Sequence, residues 1–182
     1  MINNKSIILG VTGSIAAYKA ADIISNLTKL NISVYPVMTK GGTEFITPLT
    51  LQTLSKNKVY TDVFQEKSPE EVKHISLSQK ASLLLIAPAS ADVIGKMANG
   101  IADDMLTTLY LATQNIPILI APAMNTRMYE HPAVQENILT LKNRGAQIIE
   151  PRESMLACGD VGKGAMAEVS AIISEVKKAL NL

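Results

Sequence analysis

Five short apolar runs set the limits on what this chain can fold into. Residues 6–11, 32–38, 83–87, 116–121 and 146–149 are strand-length and nearly continuous in hydrophobic side chains. Amphipathic stretches of helical length separate them, at 14–30, 91–98, 105–113 and 132–144, and a last one covers 168–180. A strand that is apolar on both sides of its pleat must be covered on both faces. Alternation of such strands with helices predicts an α/β fold, a single-domain doubly wound (Rossmann-like) parallel sheet with helices on both faces, with residues 1–182 as one domain. The pattern leaves strand order open.

Two segments break the rhythm. Residues 55–73 are polar and carry a helix-start signature, Ser68-Pro69-Glu70-Glu71. Residues 150–166 read as an irregular segment that holds three glycines and the only cysteine. Long irregular segments in a compact domain often serve function.

Composition narrows the function classes. One cysteine forbids an internal disulfide, and one cysteine with two histidines can hardly build a zinc site. Seventeen basic against sixteen acidic residues give net +1, which points to neither nucleic acid nor an anionic membrane as partner. The apolar runs are too short to span a bilayer, and no signal-peptide pattern opens the chain, so a cytoplasmic protein is expected. Charged residues make up 18%, below the roughly 25% of ordinary soluble domains. That agrees with some surface being hidden in an oligomer.

In open α/β sheets, ligands sit beyond the carboxyl ends of the strands. The first such junction, Gly10-Val-Thr-Gly-Ser-Ile, places Ser14 where a helix N-cap would be, next to amides that favour an anion. It reads equally well as a phosphate site or a plain capped turn. It is not G-x-G-x-x-G, and no phosphate-binding lysine loop occurs, so a dinucleotide or a nucleoside triphosphate is poorly supported. Thr39 at the second junction, and Ser90 and Asp92 at the third, read first as helix caps. Asn125 at the fourth could bind a carboxylate through its NH₂ or cap the next helix. Met124 and Met128 read as core fillers. His131 belongs to a turn before Pro132, and His74 alone has no evident role. Cys158 reads as a small buried hydrophobe or, since its stretch is glycine-rich, as a reactive thiol. Asp160 could order the same stretch or simply make a turn.

Six segments together, GSIAAYK at 13–19, KHISLS at 73–78, PASAD at 88–92, GIADD at 100–104, PAMNTRMY at 122–129 and ACGDVGKGAM at 157–166, resemble the homo-oligomeric flavin-containing cysteine decarboxylases. The resemblance spans nearly the whole chain. It implies FMN as cofactor, held at Gly13, Ser14, Ile15, Thr39, Ser90, Ala91, Asp92, Val93 and Ala123. It implies His74 as the catalytic base, Asn125 as the contact to the substrate carboxylate, and Cys158 as the proton donor on a flap. Met128 and Ala157 would complete the substrate side.

The implied reaction is decarboxylation of a C-terminal cysteine. The thiol carbon is oxidised to a thioaldehyde, CO₂ leaves to give an enethiol, and reduced flavin returns the hydride. The ACGDVGKGAM segment points to 4'-phosphopantothenoylcysteine, a precursor of coenzyme A, as substrate. Rival readings of the same fold are a peptidyl-cysteine decarboxylase, a flavin prenyltransferase and a non-catalytic phosphatase-regulating subunit. The resemblance also implies a homotrimer, assembled in some members into a dodecamer. Two positions depart from the usual motifs: Asp92 and Val93 stand where the family has PASANT, and Tyr129 stands in place of tryptophan. An ionised Asp92 side chain would repel a phosphate, and a tyrosine is a mild change if its ring only packs.

Overall fold

The computed structural model describes residues 5–64, 72–155 and 161–182. β1 (Ser6–Val11) is buried from end to end, and its alternate side chains feed two separate cores. Ile7, Leu9 and Val11 pack with one set of buried residues, Ile8 with another. Burying each such side chain contributes about 1.5–3 kcal/mol, and it fixes the register, since a one-residue slip would exchange the two sets.

The chain continues through a short 3-10 turn (Ile15–Tyr18) into α1 (Lys19–Lys29), then β2 (Ser33–Met38), α2 (Lys40–Thr43) and α3 (Pro48–Ser55). After α4 (Lys73–Lys80) come β3 (Leu83–Ala89), α5 (Ala91–Asn99), α6 (Met105–Ala112) and β4 (Ile118–Pro122). Then follow α7 (Thr126–Glu130), α8 (Pro132–Asn143), β5 (Gln147–Ile148), β6 (Arg152–Met155), β7 (Val161–Ala165) and α9 (Val169–Leu180). β1 to β5 form one parallel sheet in the order β2-β1-β3-β4-β5. Side chains of α1 and α9 cover one face, and those of α4, α5, α6 and α8 the other. The doubly wound sheet read from the sequence is therefore the observed one.

Two features differ from the sequence reading. The segment at 150–166 is not wholly irregular: β6 and β7 pair antiparallel as a separate two-stranded sheet. Their apolar content is too low to signal strands, because backbone pairing rather than burial holds them. The polar stretch at 55–73 ends in α4, whose described start is Lys73; the Ser68–Glu71 signature lies outside the described residues. Among the described residues, no helix is long and apolar enough to cross a membrane.

Candidate functional site

The carboxyl ends of β1, β2, β3 and β4 open into one cleft of about 960 Å³. Among the hydroxyls that line it, those of Ser14, Thr39 and Ser90 are each set by a helix start. Ser14 Oγ accepts from the Ala16 amide at 3.3 Å, Thr39 Oγ1 from Gly42 at 3.2 Å, and Ser90 Oγ from Val93 at 3.3 Å. Each is therefore a true cap, as the local sequence suggests. All three still line the cleft, so capping and facing a ligand are compatible. Gly13, Ile15, Ala91, Asp92 and Ala123 line the same space.

Val93 does not line it. Its side chain is 1% exposed and belongs to the core between the sheet and α5, and its amide is held by Ser90. Of the positions matched to cofactor binding, Val93 is thus one whose side chain helical geometry turns inward, away from the cleft.

Asp92 lies in the first turn of α5 and meets Lys96 one turn on, at 3.5 Å. Lys96 also reaches Asp103 at 3.1 Å. Burial works against the Lys96 charge, but the hydrogen bond to Asp103 and the nearby Asp92 raise its pKa above the ordinary lysine value. The negative charge of Asp92 thus has a fixed counter-charge on the cleft wall. The sequence reading missed this lysine; its i,i+4 spacing from Asp92 was the available signal.

Thr12 was also missed. Fully buried, it donates to Pro88 O at 2.8 Å and accepts from the Ser90 amide at 2.8 Å. Ala123 donates to Ala89 O at 3.0 Å. The ends of β1, β3 and β4 are stitched together beneath the cleft.

Asn125 caps α7, its Oδ1 accepting from the Arg127 amide at 2.9 Å, and it lines the cleft beside Met124 and Met128. Met128 is 49% exposed, so it is a wall residue rather than a core filler, and Met124 is half-buried there. His131 caps α8 through Nδ1, in keeping with a turn role. Arg152 and Ser154 of β6, and Gly164 and Ala165 of β7, complete the far wall.

His74 is not brought to this cleft. It is the second residue of α4, half-buried, on a helix that packs through Leu77 against the opposite core. Ala157, Cys158 and Asp160 lie outside the described residues.

The cleft fits a flavin nucleotide. Small side chains at Ala91 and Ala123 leave room for a flat ring, and the capped helix starts offer donors to a phosphate. The family model described as Flavoprotein matches residues 1–181. The chain belongs to that family. A Streptococcus mutans relative, called probable phosphopantothenoylcysteine decarboxylase, is 50% identical over 97% of this chain and 99% of its own. The coenzyme A biosynthesis bifunctional protein CoaBC of Bacillus subtilis is 49% identical over 98% of this chain, which spans 44% of that protein. Among solved structures, a variant PPC decarboxylase complexed with pantothenoylaminoethenethiol superposes with a TM-score of 0.91 at 35% identity, covering 99% of this chain and 100% of that one. This member of the Flavoprotein family thus keeps the family fold around a cleft walled on one side by helix starts and on the other by β6 and β7.

Proposed function

We propose that the chain is an FMN-dependent phosphopantothenoylcysteine decarboxylase of coenzyme A biosynthesis, a carboxy-lyase that converts 4'-phosphopantothenoylcysteine to 4'-phosphopantetheine and CO₂. The observation that carries this reading is the convergence of the three capping hydroxyls and Asn125 on one cleft. The high identity to the streptococcal relative supports the choice of substrate.

A bound flavin would supply the reversible two-electron exchange that lets the thiol-bearing carbon of the substrate accept electrons from the departing carboxylate. Ser14, Thr39 and Ser90 would hold the FMN phosphate, with Gly13, Ile15, Ala91, Asp92 and Ala123 around it. The Asn125 NH₂ would donate to the substrate carboxylate, with Met128 beside it. His74 would take the proton lost when the thiol is oxidised. Cys158 would return a proton on re-reduction, with Ala157 next to it. The product needs two protons, one on the carbon that loses CO₂ and one on sulfur: His74 would give back the one it took, Cys158 would give the other and be reprotonated from water, and the net reaction is non-redox.

Since His74 does not line the cleft of its own chain, this reading has a neighbouring copy present it. Exposed Ile15, Tyr18 and Phe45 on the rim support burial of that edge in a homo-oligomer, a trimer or the dodecamer built from it. The same reading places the protein in the cytoplasm.

The test is direct. Purified protein should carry flavin absorbance and release CO₂ from 4'-phosphopantothenoylcysteine but not from a peptide ending in cysteine. CO₂ from the peptide alone would favour the peptidyl-cysteine reading. Bound flavin with no CO₂ from either substrate would leave a non-catalytic role.

A further inference from the structure

Behind the cleft, three charged or polar side chains converge on one carboxylate. Glu150 follows β5, anchored there by the hydrogen bond from Ile149 N to Ile120 O at 2.8 Å. Its Oε2 accepts from Lys163 Nζ at 2.8 Å and from the Tyr129 hydroxyl at 3.1 Å; its Oε1 accepts from Lys142 Nζ at 3.1 Å. Lys163 Nζ also lies 5.6 Å from the centre of the Tyr129 ring. Tyr129 is therefore more than a packing ring, since a tryptophan there would have no hydroxyl to give Glu150. The Lys163 hydrogen bond above all, helped by Lys142 and Tyr129 against the cost of burial, holds the Glu150 carboxyl down to about 2.

The two main partners bracket Asn125. Tyr129 is one turn further along α7, and its amide donates to Asn125 O at 2.9 Å. Lys163 sits on β7 between two glycines that touch the Asn125 turn. A Cβ on Gly162 would lie 2.7 Å from the Thr126 side chain, and one on Gly164 would strike the Met124 carbonyl. Gly164 O in turn accepts from the Met124 amide at 3.0 Å. The backbone of β7 is thus pressed on residues 124–126 from one side. A single carboxylate fastened to the main sheet holds both pieces from behind.

We propose that Glu150 is a positioning residue for Asn125: by tying Lys163 of β7 and Tyr129 of α7 to the end of β5, it sets where the cleft receives the substrate's carboxylate. This rests on the decarboxylase reading above. The FMN-facing residues at 13–15, 39 and 90–92 lie on other strand ends, and Ala123, on β4, is held from the β3 side by its bond to Ala89 O, so none of them depends on the network.

The test compares two ligands that differ by the carboxylate. Glu150→Gln and Lys163→Met should weaken binding of 4'-phosphopantothenoylcysteine, read as KM, by about three- to tenfold, the loss of one charge-assisted hydrogen bond at a partly exposed site. They should leave the inhibition constant of 4'-phosphopantetheine, which lacks the carboxylate, within about twofold. FMN affinity, read by fluorescence quenching, should be unchanged, and Lys163→Arg should restore KM. Tyr129→Phe, which removes one bond and keeps the ring, should give a smaller shift in the same direction. Equal weakening of both ligands, or no change in either, would overturn the positioning role alone. Absence of CO₂ release by the unaltered chain would overturn the decarboxylase reading and this inference with it.

Discussion

Thr12 and Ser90 are joined by a hydrogen bond that closes the floor of the cleft: the Ser90 amide donates to Thr12 Oγ1 at 2.8 Å, and the same hydroxyl donates to Pro88 O. Replacing Thr12 with valine keeps the shape and removes both bonds. Two buried backbone groups then lose their partner, which should cost about 2 kcal/mol. Thr12→Ser should cost less. Urea unfolding measures the difference, and FMN titration should show weaker binding for the valine variant, because Ser90 is displaced with its amide.

Lys96 stands between Asp92 and Asp103. Lys96→Met leaves two carboxylates on the cleft wall without their counter-charge. FMN affinity should fall about three- to tenfold, with a larger loss at low ionic strength. Adding Asp92→Asn should recover part of it. Fluorescence titration of the two single variants and the double variant gives the coupling; strict additivity would count against the charge relationship.

The placement of His74 outside the cleft makes a prediction about assembly. His74→Asn should keep FMN and lose CO₂ release, and Asn125→Asp should lose it as well. If each site draws these residues from different copies, oligomers reassembled from equal amounts of the two variants contain both native groups in about a quarter of their sites. Activity of that order should reappear on mixing. A mixture that stays inactive would place both residues' work within one chain.

Two glycines should respond in opposite directions to alanine. At Gly42 a Cβ would lie 2.5 Å from Val11 O, a backbone atom that cannot yield. Gly42→Ala should destabilise the protein and weaken FMN binding through Thr39, whose hydroxyl caps the Gly42 amide. At Gly95, inside α5, the nearest atom to a Cβ is Asn137 Nδ2 at 3.6 Å. Gly95→Ala should stabilise by about 0.5–1 kcal/mol. Thermal unfolding of both variants checks the contrast.

Glu150 gives the chain an acid-sensitive contribution. Its carboxyl is lowered from an ordinary 4.5 to about 2 when folded. The stabilisation is therefore present above pH 4.5 and lost as pH falls through the folded value. Half of the side chain is exposed, so solvent screening reduces the contribution to about 1 kcal/mol. Native protein should be more stable than Glu150→Gln at pH 7, with the gap closing between pH 4.5 and 2. Urea unfolding of both across that range tests it.

Much of this fold was legible because buried parallel strands announce themselves. The bounds of β1 match the sequence reading at both ends, and β3 runs only two residues longer. Strand order was not legible, since nothing local distinguishes a central strand from its neighbours. The β6–β7 hairpin was hidden because its residues, Arg-Glu-Ser-Met and Val-Gly-Lys-Gly-Ala, show no apolar alternation. In the cleft, Ser14, Thr39 and Ser90 were legible as hydroxyls at strand ends. Thr12 was not, because its partners lie 76 and 78 residues away. The hydroxyl of Tyr129 was overlooked for a similar reason: its acceptor, Glu150, lies beyond a whole helix.

The three caps have a further consequence for what the cleft prefers. A hydroxyl oxygen that accepts a backbone amide keeps one hydrogen to give. Ser14, Thr39 and Ser90 each accept in this way, so one lone pair of each is taken while its hydrogen stays free to turn toward a guest. An oxyanion can receive a hydrogen from each of them. The turns that start the helices therefore also hold three donors at fixed places on the cleft wall, with no formal charge spent.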